Sequence, residues 1–431
     1  MTIDWLVPDE RGAVAWPALP DGKKGVLTIG SFDGMHQGHQ AVLKRTVELA
    51  HELKAISVAV VLDPRPAAAH AYAAAHDGAD APEGFHDPDA LMPVQRRLEL
   101  IESLGVDRTF VVHYTMPFAA VSYVSFLGQM VGKVGMRTLV LGSDAHMGAG
   151  KEGDLKAIRN LSLATGVFEL DVVDDAGPGM TRIPFDWKPQ MPQKPGEPAD
   201  PLEGMNKSQR RTWSKRNHAH EARVWSSSNI RYLLGNGRVH DAGEALGRPH
   251  AVEGVVVRGE QRGHTIGFPT ANLGDPVQGY VPVDGVYSGW LVDFGMAPDA
   301  DAKVAAGATT AEAQEGSSNA GNTGAVSADA HVNHHEDAVT ARTPVNRWPA
   351  AISIGTKETF SEATGLHERV VEAYACTQEW LELYGHDVRV EFGGYLRPQM
   401  KFASADELAG QLAKDAEASR KAADKAVDTA K

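Results

Sequence analysis

Two histidines three positions apart form the first group in this chain whose residue types and spacing suit a catalytic or ligand-binding site. His36 and His39 occur in GSFDGMHQGH, directly after the apolar run at 26–29. An apolar strand, a glycine-rich turn and a helix start expose backbone N–H groups, which bind anions. Imidazoles there can donate hydrogen bonds to phosphate oxygens and stabilise charge that develops at phosphorus. Spacing alone leaves two alternatives: a zinc site, for which no further ligand spacing is evident, and structural or surface histidines.

A second stretch, farther along the chain, ends in GFPTANL and combines glycines with oxygen ligands. Gly259, Gly263 and Gly267 could let the backbone close over a nucleoside triphosphate. Thr270 and Asn272 supply hard oxygen ligands, which suit Mg²⁺ held jointly with substrate phosphates. Gly-Phe-Pro is also ordinary turn punctuation, so a plain strand and turn is the alternative interpretation.

Composition narrows the class of protein. A chain of 431 residues is too long for one ordinary core, which predicts two domains. The net charge of −14 argues against nucleic acid as a partner, and Cys376, the single cysteine, fits a reducing compartment. The start of the chain lacks the pattern of a signal peptide, and no apolar run approaches the roughly 20 residues of a membrane span. We therefore expect a cytoplasmic protein with neither nucleic-acid nor membrane partners.

The first part of the chain alternates between strand and helix patterns, with an Ala-, His- and Asp-rich loop after the second strand. The predicted strands are 26–29, 56–62, 109–114 and 137–142, and the predicted helices are 39–54, 93–104 and 119–133. This alternation predicts a parallel, doubly wound sheet. Ligands bind such sheets at the carboxyl ends of the strands, where 30–39 and 142–148 both fall.

Two segments of unusual composition follow. Residues 185–204 are proline-rich and predict a linker or insertion. Residues 205–223 carry six Lys or Arg against one Glu. This basic run is either a solvated insertion or a flap that attracts a polyanion.

After a helix predicted near 227–236, the pattern changes to short β-branched segments separated by turns. These segments are 250–259, 285–294, 350–355 and 387–397, and they predict an antiparallel sheet or small barrel. Residues 297–347 contain no Leu, Ile, Phe, Tyr or Trp, so we expect a disordered loop there. The tail at 405–431 is predicted to be helical.

The histidine stretch resembles the H-x-G-H signature of nucleotidyltransferases, in the version found in bacterial bifunctional riboflavin kinase/FAD synthetases. LDPRP resembles that family's D-P-H-P, with Arg65 in place of histidine. RRLELIESLGVD and WSSSNIR also resemble family stretches, the latter with Ser228 in place of threonine. LGSDAHMGAGKEGD matches the family's G-x-D/N-F-x-F-G element, except that Ala145 and Met147 replace aromatic residues.

The resemblance implies an FMN adenylyltransferase site. His36 and His39 would bind the ATP phosphates and stabilise adenylyl transfer. Asp144 would bind substrate, and Ser227 and Ser228 would contact the triphosphate from a mobile loop. The implied nucleotide-binding residues are Gly30, Phe32, Asp33, Gly34, Arg223, Ser227 and Ser228.

GFPTAN resembles the riboflavin kinase signature, and VPVDGVYSGW and LRPQMKF resemble its neighbours. The resemblance supports nucleotide binding by Gly259, Gly263 and Gly267 and metal binding by Thr270 and Asn272. Glu372 matches the family's catalytic glutamate, the general base that removes a proton from riboflavin's terminal hydroxyl. Lys357-Glu358 departs from the family's Asn-Pro.

These observations predict a Rossmann-like nucleotidyltransferase domain at 1–242, with an insertion at about 185–223. A riboflavin kinase domain would follow at 243–431, built on a small antiparallel β-barrel with a C-terminal helix. The expected substrates are ATP, riboflavin and FMN, with Mg²⁺ as cofactor; assembly into a homo-oligomer is left open. Two alternatives remain: a riboflavin kinase with an impaired adenylyltransferase half, and a non-catalytic flavin- or nucleotide-binding protein.

Overall fold

The computed structural model describes residues 1–174, 177–258, 270–298, 342–356, 369–379 and 381–429. These residues form two compact units, which divide between Gly179 and Met180. Among them, no helix is long and apolar enough to cross a membrane.

The first unit contains eight described strands and six α-helices. Its strands are β1 Thr2–Leu6, β2 Gly25–Gly30, β3 Ile56–Asp63, β4 Arg108–His113, β5 Met136–Gly142, β6 His146–Met147, β7 Gly153–Asp154 and β8 Glu169–Val173. Its α-helices are α1 Gln37–Glu52, α2 Pro66–Ala75, α3 Val94–Ser103, α4 Met116–Ala119, α5 Tyr123–Gln129 and α6 Leu155–Thr165. A short π-helix, Met130–Val134, continues α5.

A six-stranded parallel sheet in the order β1-β4-β3-β2-β5-β8 forms the centre of this unit, as the alternating pattern predicts. The central strands are apolar on both faces because both faces are covered. On β3, Val58 and Val60 pack into one core cluster, while Ala59 and Val61 pack into a different cluster. The strand order reverses between β2 and β5, and ligands bind such sheets at this switch point.

Several elements of this unit differ from the sequence-based predictions. The segment expected to be only a loop after β3 contains α2, since PAAAHAYAAA begins with a proline at the first helical position and is rich in alanine. The helix predicted over 119–133 is interrupted, because the Ser122 side chain accepts a hydrogen bond from the backbone N–H of Ser125 and starts α5 there. The sequence analysis did not predict the two edge strands β1 and β8, the short strands β6 and β7, or helix α6.

Among its described residues, the second unit combines a closed barrel with three shorter helices and one long helix. Its strands are β9 Met180–Pro184, β10 Ala219–Arg223, β11 His250–Val257, β12 Ala271–Leu273, β13 Gly285–Met296, β14 Asn346–Thr356, β15 Arg369–Ala375 and β16 His386–Arg397. Its helices are α7 Lys207–Arg216, α8 Ser227–Leu234, α9 Val239–Leu246 and α10 Ala405–Thr429.

Six antiparallel strands close the barrel in the order β11-β12-β15-β14-β13-β16, which confirms the predicted architecture. Alternate side chains fill its interior, with Ile352 and Val371 fully buried. Closure brings β13 and β16 so close that a Cβ on Gly289 would overlap the carbonyl oxygen of Glu391. Helix α10 packs against β13 and β14.

The segment predicted as a linker or insertion is anchored to the barrel. The N–H of Gly196 donates to the carbonyl of Leu396 at 2.9 Å, and the Tyr395 hydroxyl donates to the carbonyl of Pro192 at 3.1 Å. The Glu197 carboxylate accepts from the N–H of His240 at 2.8 Å, at the start of α9. Because of such contacts, residues 180–242 belong to the same compact unit as the barrel.

The predicted boundary between 242 and 243 falls inside α9, and the activity-based domain limits stay a prediction. The predicted disordered loop at 297–347 lies mostly outside the described residues, and its ends do not fit that prediction. The N–H of Ala297 donates to the carbonyl of Gly385 at 2.8 Å, and Asn346 begins β14.

Candidate active sites

The turn after β2 has a backbone conformation that side chains seldom adopt. Phe32, Gly34 and Met35 have φ angles of 48°, 79° and 44°. A non-glycine residue in this region is strained, and such strain persists where the surroundings impose it. Here Phe32 and Met35 are buried among the side chains of α1 and α3, which holds the turn in place.

His36 and His39 are stacked at the start of α1. Their ring centroids lie 3.6 Å apart with an interplanar angle of 20°. Nδ1 of His36 accepts the backbone N–H of His39 at 3.3 Å, so His36 caps the helix. Because Nδ1 is an acceptor, a neutral His36 carries its proton on Nε2, which can donate to a phosphate oxygen. The structure thus brings both histidines to a helix N-terminus, where the dipole favours anions.

Asp144 lies at the same edge of the sheet as this turn. It follows β5, the neighbour of β2 at the switch point, and is exposed. A Cβ on Gly142 would lie 3.4 Å from Oδ1 of Asp144 and 3.8 Å from Cγ2 of Val42 in α1. The carboxylate is therefore adjacent to the helix that carries His39.

The substituted residues beside Asp144 pack into the unit. Ala145 and Met147 are partly buried against the larger core cluster, and the N–H of Ala145 donates to the carbonyl of Gly142 at 3.1 Å. Met147 lies in the small β6–β7 hairpin. Neither residue supplies the aromatic ring that the family element has there.

Two arginines that sequence reasoning did not assign to the site lie behind the turn. Arg97, fully buried on α3, donates to the carbonyl of Ser31 at 2.7 Å and to the Asp63 carboxylate. Arg65 donates through Nε and Nη2 to Asp87 at 2.6 and 2.7 Å. Burial lowers the pKa of Arg65, but the hydrogen bond to Asp87 and nearby carboxylates outweigh it, so the pKa is raised overall. In the sequence, Arg65 was evident only as a departure from the family's D-P-H-P motif. No local sequence pattern identified Asp87 as its partner.

Ser227 and Ser228 occupy the first turn of α8 rather than a loop. Ser226 caps this helix: its Oγ accepts the N–H of Asn229 at 3.2 Å and donates to the carbonyl of Arg223 at 2.8 Å. The hydroxyls of Ser227 and Ser228 therefore lie at a helix N-terminus, which suits a phosphate ligand. These residues and Arg223 belong to the second compact unit.

The barrel brings Asn272 and Glu372 side by side although they are far apart in the chain. Their Cα atoms are register partners between β12 and β15, and Ser353 of β14 is the next partner of Glu372. Directly opposed residues project from the same face, with Cβ atoms about 4.5–5.5 Å apart. Val371 and Ala373 face the interior, so Glu372 lies on the outer face of the barrel.

Thr270 lies next to this pair. The Asn272 amide donates to Oγ1 of Thr270 at 3.4 Å and to its carbonyl at 3.3 Å. Oxygen atoms from Thr270 and Asn272 therefore lie beside a carboxylate, and hard oxygen ligands of this kind fit Mg²⁺ held jointly with phosphates. Gly259, Gly263 and Gly267 lie outside the described residues, so their predicted role stays a prediction.

Comparisons with known proteins match two stretches of the chain to family models. Residues 19–184 match the family model of FAD synthetase, and residues 246–423 match that of riboflavin kinase. The chain is 24% identical to a bifunctional riboflavin kinase/FMN adenylyltransferase of Listeria monocytogenes, over 92% of this chain and 91% of that protein. It is also 24% identical to the Escherichia coli protein of the same description, over 90% of each chain.

A Bacillus subtilis relative with the same description is 29% identical, over 62% of this chain and 66% of that protein. Among solved structures, the chain is similar to one described as a macrolide-efflux protein from Streptococcus pneumoniae. The TM-score is 0.61 at 20% identity, over 96% of this chain and 98% of that one, and this likeness concerns the fold alone.

Proposed function

Because this chain belongs to the bacterial bifunctional riboflavin kinase/FMN adenylyltransferase family, we propose that it makes FMN and then FAD at two separate sites. The barrel phosphorylates riboflavin with ATP, and the parallel-sheet unit supplies the core of the site that adenylylates FMN. The observation that supports the proposal is the pairing of Glu372 with Asn272 across β15 and β12, which brings a carboxylate beside an amide side chain that could help to hold Mg²⁺.

In the kinase reaction, Glu372 accepts the proton of riboflavin's terminal ribityl hydroxyl as that oxygen attacks the γ-phosphorus of ATP. The bond to the β,γ-bridging oxygen breaks, and ADP leaves. Thr270 and Asn272 would hold Mg²⁺, which neutralises phosphate charge when bound. Gly259, Gly263 and Gly267 are proposed to enclose the nucleotide.

In the adenylylation reaction, a phosphate oxygen of FMN attacks the α-phosphorus of ATP and pyrophosphate leaves. His36 and His39 donate hydrogen bonds to the phosphates, and the N-terminus of α1 adds favourable backbone dipoles. Catalysis then depends on positioning and charge neutralisation, without a covalent enzyme intermediate.

Other residues are proposed to bind the substrates of this second reaction. The turn formed by Gly30, Phe32, Asp33 and Gly34 encloses ATP, and Asp144 at the switch point binds substrate. Ser227, Ser228 and Arg223 contact the triphosphate. We further propose a cytoplasmic enzyme whose partners are these small molecules, which agrees with its single cysteine.

The proposal is tested by incubating the purified full chain with riboflavin, ATP and Mg²⁺ and separating flavins by chromatography. FMN should form first and FAD second, and excess chelator should stop both steps. FMN without FAD would favour a kinase with an impaired adenylyltransferase half. Absence of both products, with the protein folded, would contradict the proposed function.

A further inference from the structure

A buried ion-pair cluster attaches the turn after β2 to the segment between α2 and α3. Arg65 makes a two-bond fork to Asp87, and its Nε lies 3.7 Å from Oδ2 of Asp33. The other oxygen of Asp33 accepts the backbone N–H of Leu91 at 2.8 Å. The side chains of Arg65, Asp87 and Asp33 are 11%, 9% and 2% exposed, so water screens their charges little.

The segment at 76–92 is therefore held at two places. At one place, Asp87 binds Arg65 and the N–H of Leu91 donates to Asp33. At the other, the carbonyl of Ala81 lies 3.2 Å from Nε2 of His113, at the end of β4. Leu91 is almost fully buried. The segment passes along the carboxyl edge of the sheet, the edge on which the stacked histidines lie.

The charges of the cluster explain why a cation is needed there. Asp33 and Asp87 are two carboxylates beside a turn that is proposed to bind a triphosphate. Without a nearby cation, a buried carboxylate repels a polyanion and is costly to desolvate. Arg65 faces both carboxylates at once, and its planar fork matches Asp87 in a way that an ammonium cannot.

We propose that Arg65 is a positioning residue of the adenylyltransferase site, which holds segment 87–91 against the nucleotide turn and neutralises Asp33 beside the triphosphate. This inference rests on the proposed function for its kinetic consequence. Arg65 acts through Asp33 and the turn.

The test compares two aspartates that make the same kind of fork in the same unit. Asp87→Asn weakens the fork to Arg65. The control is Asp4→Asn, since Asp4 accepts a matched fork from Arg108 at 2.8 and 3.1 Å, with side chains 11% and 15% exposed. Asp4 lies mid-strand in β1, at the edge of the sheet and away from the turn.

Asp87→Asn should raise the KM for ATP in FAD synthesis about tenfold, with a smaller change in kcat, as expected for one charge-assisted hydrogen bond. Asp4→Asn should leave this KM within about twofold. Arg65→Lys, which keeps the charge and loses the fork, should fall between the wild type and Arg65→Gln. Riboflavin kinase constants of all variants should match the wild type. An unchanged KM in Asp87→Asn, or equal changes in both aspartate variants, would overturn the proposal.

Hydrogen exchange tests the attachment without reference to activity. Peptides spanning 85–92 should exchange faster in Asp87→Asn and Arg65→Gln than in the wild type or Asp4→Asn. Equal exchange in all four proteins would refute the attachment. If the wild type makes no FAD, the proposed function fails, while this exchange result still decides whether Arg65 holds the segment.

Discussion

Individual side chains separate the two chemistries of this enzyme. The second unit carries the side chains that we propose as kinase base and metal ligands: Glu372, Asn272 and Thr270. The stacked histidines that we propose to bind the phosphates of ATP lie at the start of a helix of the first unit, which His36 caps. Because these groups belong to different compact units, substitutions should remove one activity at a time.

Glu372→Gln should lower FMN formation by about 10²–10⁴-fold, since a general base contributes that much. FAD formation from supplied FMN should stay within about twofold, because the base has no part in it. The control is His36→Ala with His39→Ala, which should do the reverse. Each reaction is assayed separately by chromatography. Loss of both activities in either folded variant would contradict independent sites.

His250 makes the stability of the barrel depend on pH. Burial, with a smaller contribution from Arg248, lowers the pKa of His250 to about 4 from its ordinary value of 6.5. The ring packs on Phe392 and contacts the carbonyl of Tyr280 at 2.7 Å. Between pH 6.5 and about 4 the unfolded chain binds the extra proton, so the free energy of unfolding falls as pH falls.

We expect the contribution of His250 to lower the free energy of unfolding by about 2 kcal/mol between pH 7 and pH 5. Urea unfolding of the wild type and His250→Gln at both pH values measures it, since titration of other groups cancels in the difference. Equal pH dependence in the two proteins would show that His250 is not responsible.

At the scale of elements, the barrel closes only where strands can approach closely. The register between β13 and β16 shifts beside Gly289. A Cβ added at Gly289 would overlap the carbonyl oxygen of Glu391. Arg397, at the end of β16, makes a buried ion pair with Asp415 of α10 at 2.7 Å. Strand β16 therefore both closes the barrel and binds α10.

Gly289→Ala should destabilise the barrel by more than about 2 kcal/mol, because the added methyl overlaps a backbone atom that cannot rotate away. Gly410→Ala is the matched control. Gly410 lies in α10 with nothing within 4 Å of an added Cβ, so alanine there should stabilise by up to about 1 kcal/mol. Thermal unfolding gives both values, and similar melting temperatures for the two variants would refute the closure argument.

At the scale of the whole molecule, the limits of the two units differ from the limits expected from sequence. Residues 192–197 bind β16 and cap α9, so they belong structurally to the barrel. The ends of the long connection between β13 and β14 are also ordered by contacts: Arg342 pairs with Asp387 at 2.7 Å and with Glu253. Both observations define where the chain can be cut.

A chain that starts at residue 180 should fold and phosphorylate riboflavin with near wild-type kinetics. A chain that starts at 243 should be less stable by several kcal/mol, since it loses half of α9 and the Glu197 contacts that cap it. Urea unfolding and kinase assays compare the two. Equal stability would show that residues 180–242 do not belong to the folding unit of the barrel.

Replacing residues 300–340 with a short glycine-serine turn should leave both activities within about twofold and the melting temperature nearly unchanged. The deleted segment lacks large apolar residues, and Asp293 and Asn346 at the ends of the hairpin are already paired. Extending the deletion through Arg342 should destabilise the protein, because Glu253 then loses a partner. If the shorter deletion unfolds the protein, the segment has a structural role.

The sequence by itself determined what depends on neighbours in the chain. Alternating apolar segments predicted the parallel sheet and the barrel, and GSFDGMHQGH predicted a phosphate turn, because a strand end, glycines and a helix start act within a few residues of one another. The tertiary structure alone decided what depends on distant pairing. Strand register set Glu372 against Asn272, burial directed Arg65 to Asp87 and Asp33, and packing on β16 assigned residues 180–242 to the barrel. No local pattern specifies such partners, since register and burial arise only when all the strands and helices pack together.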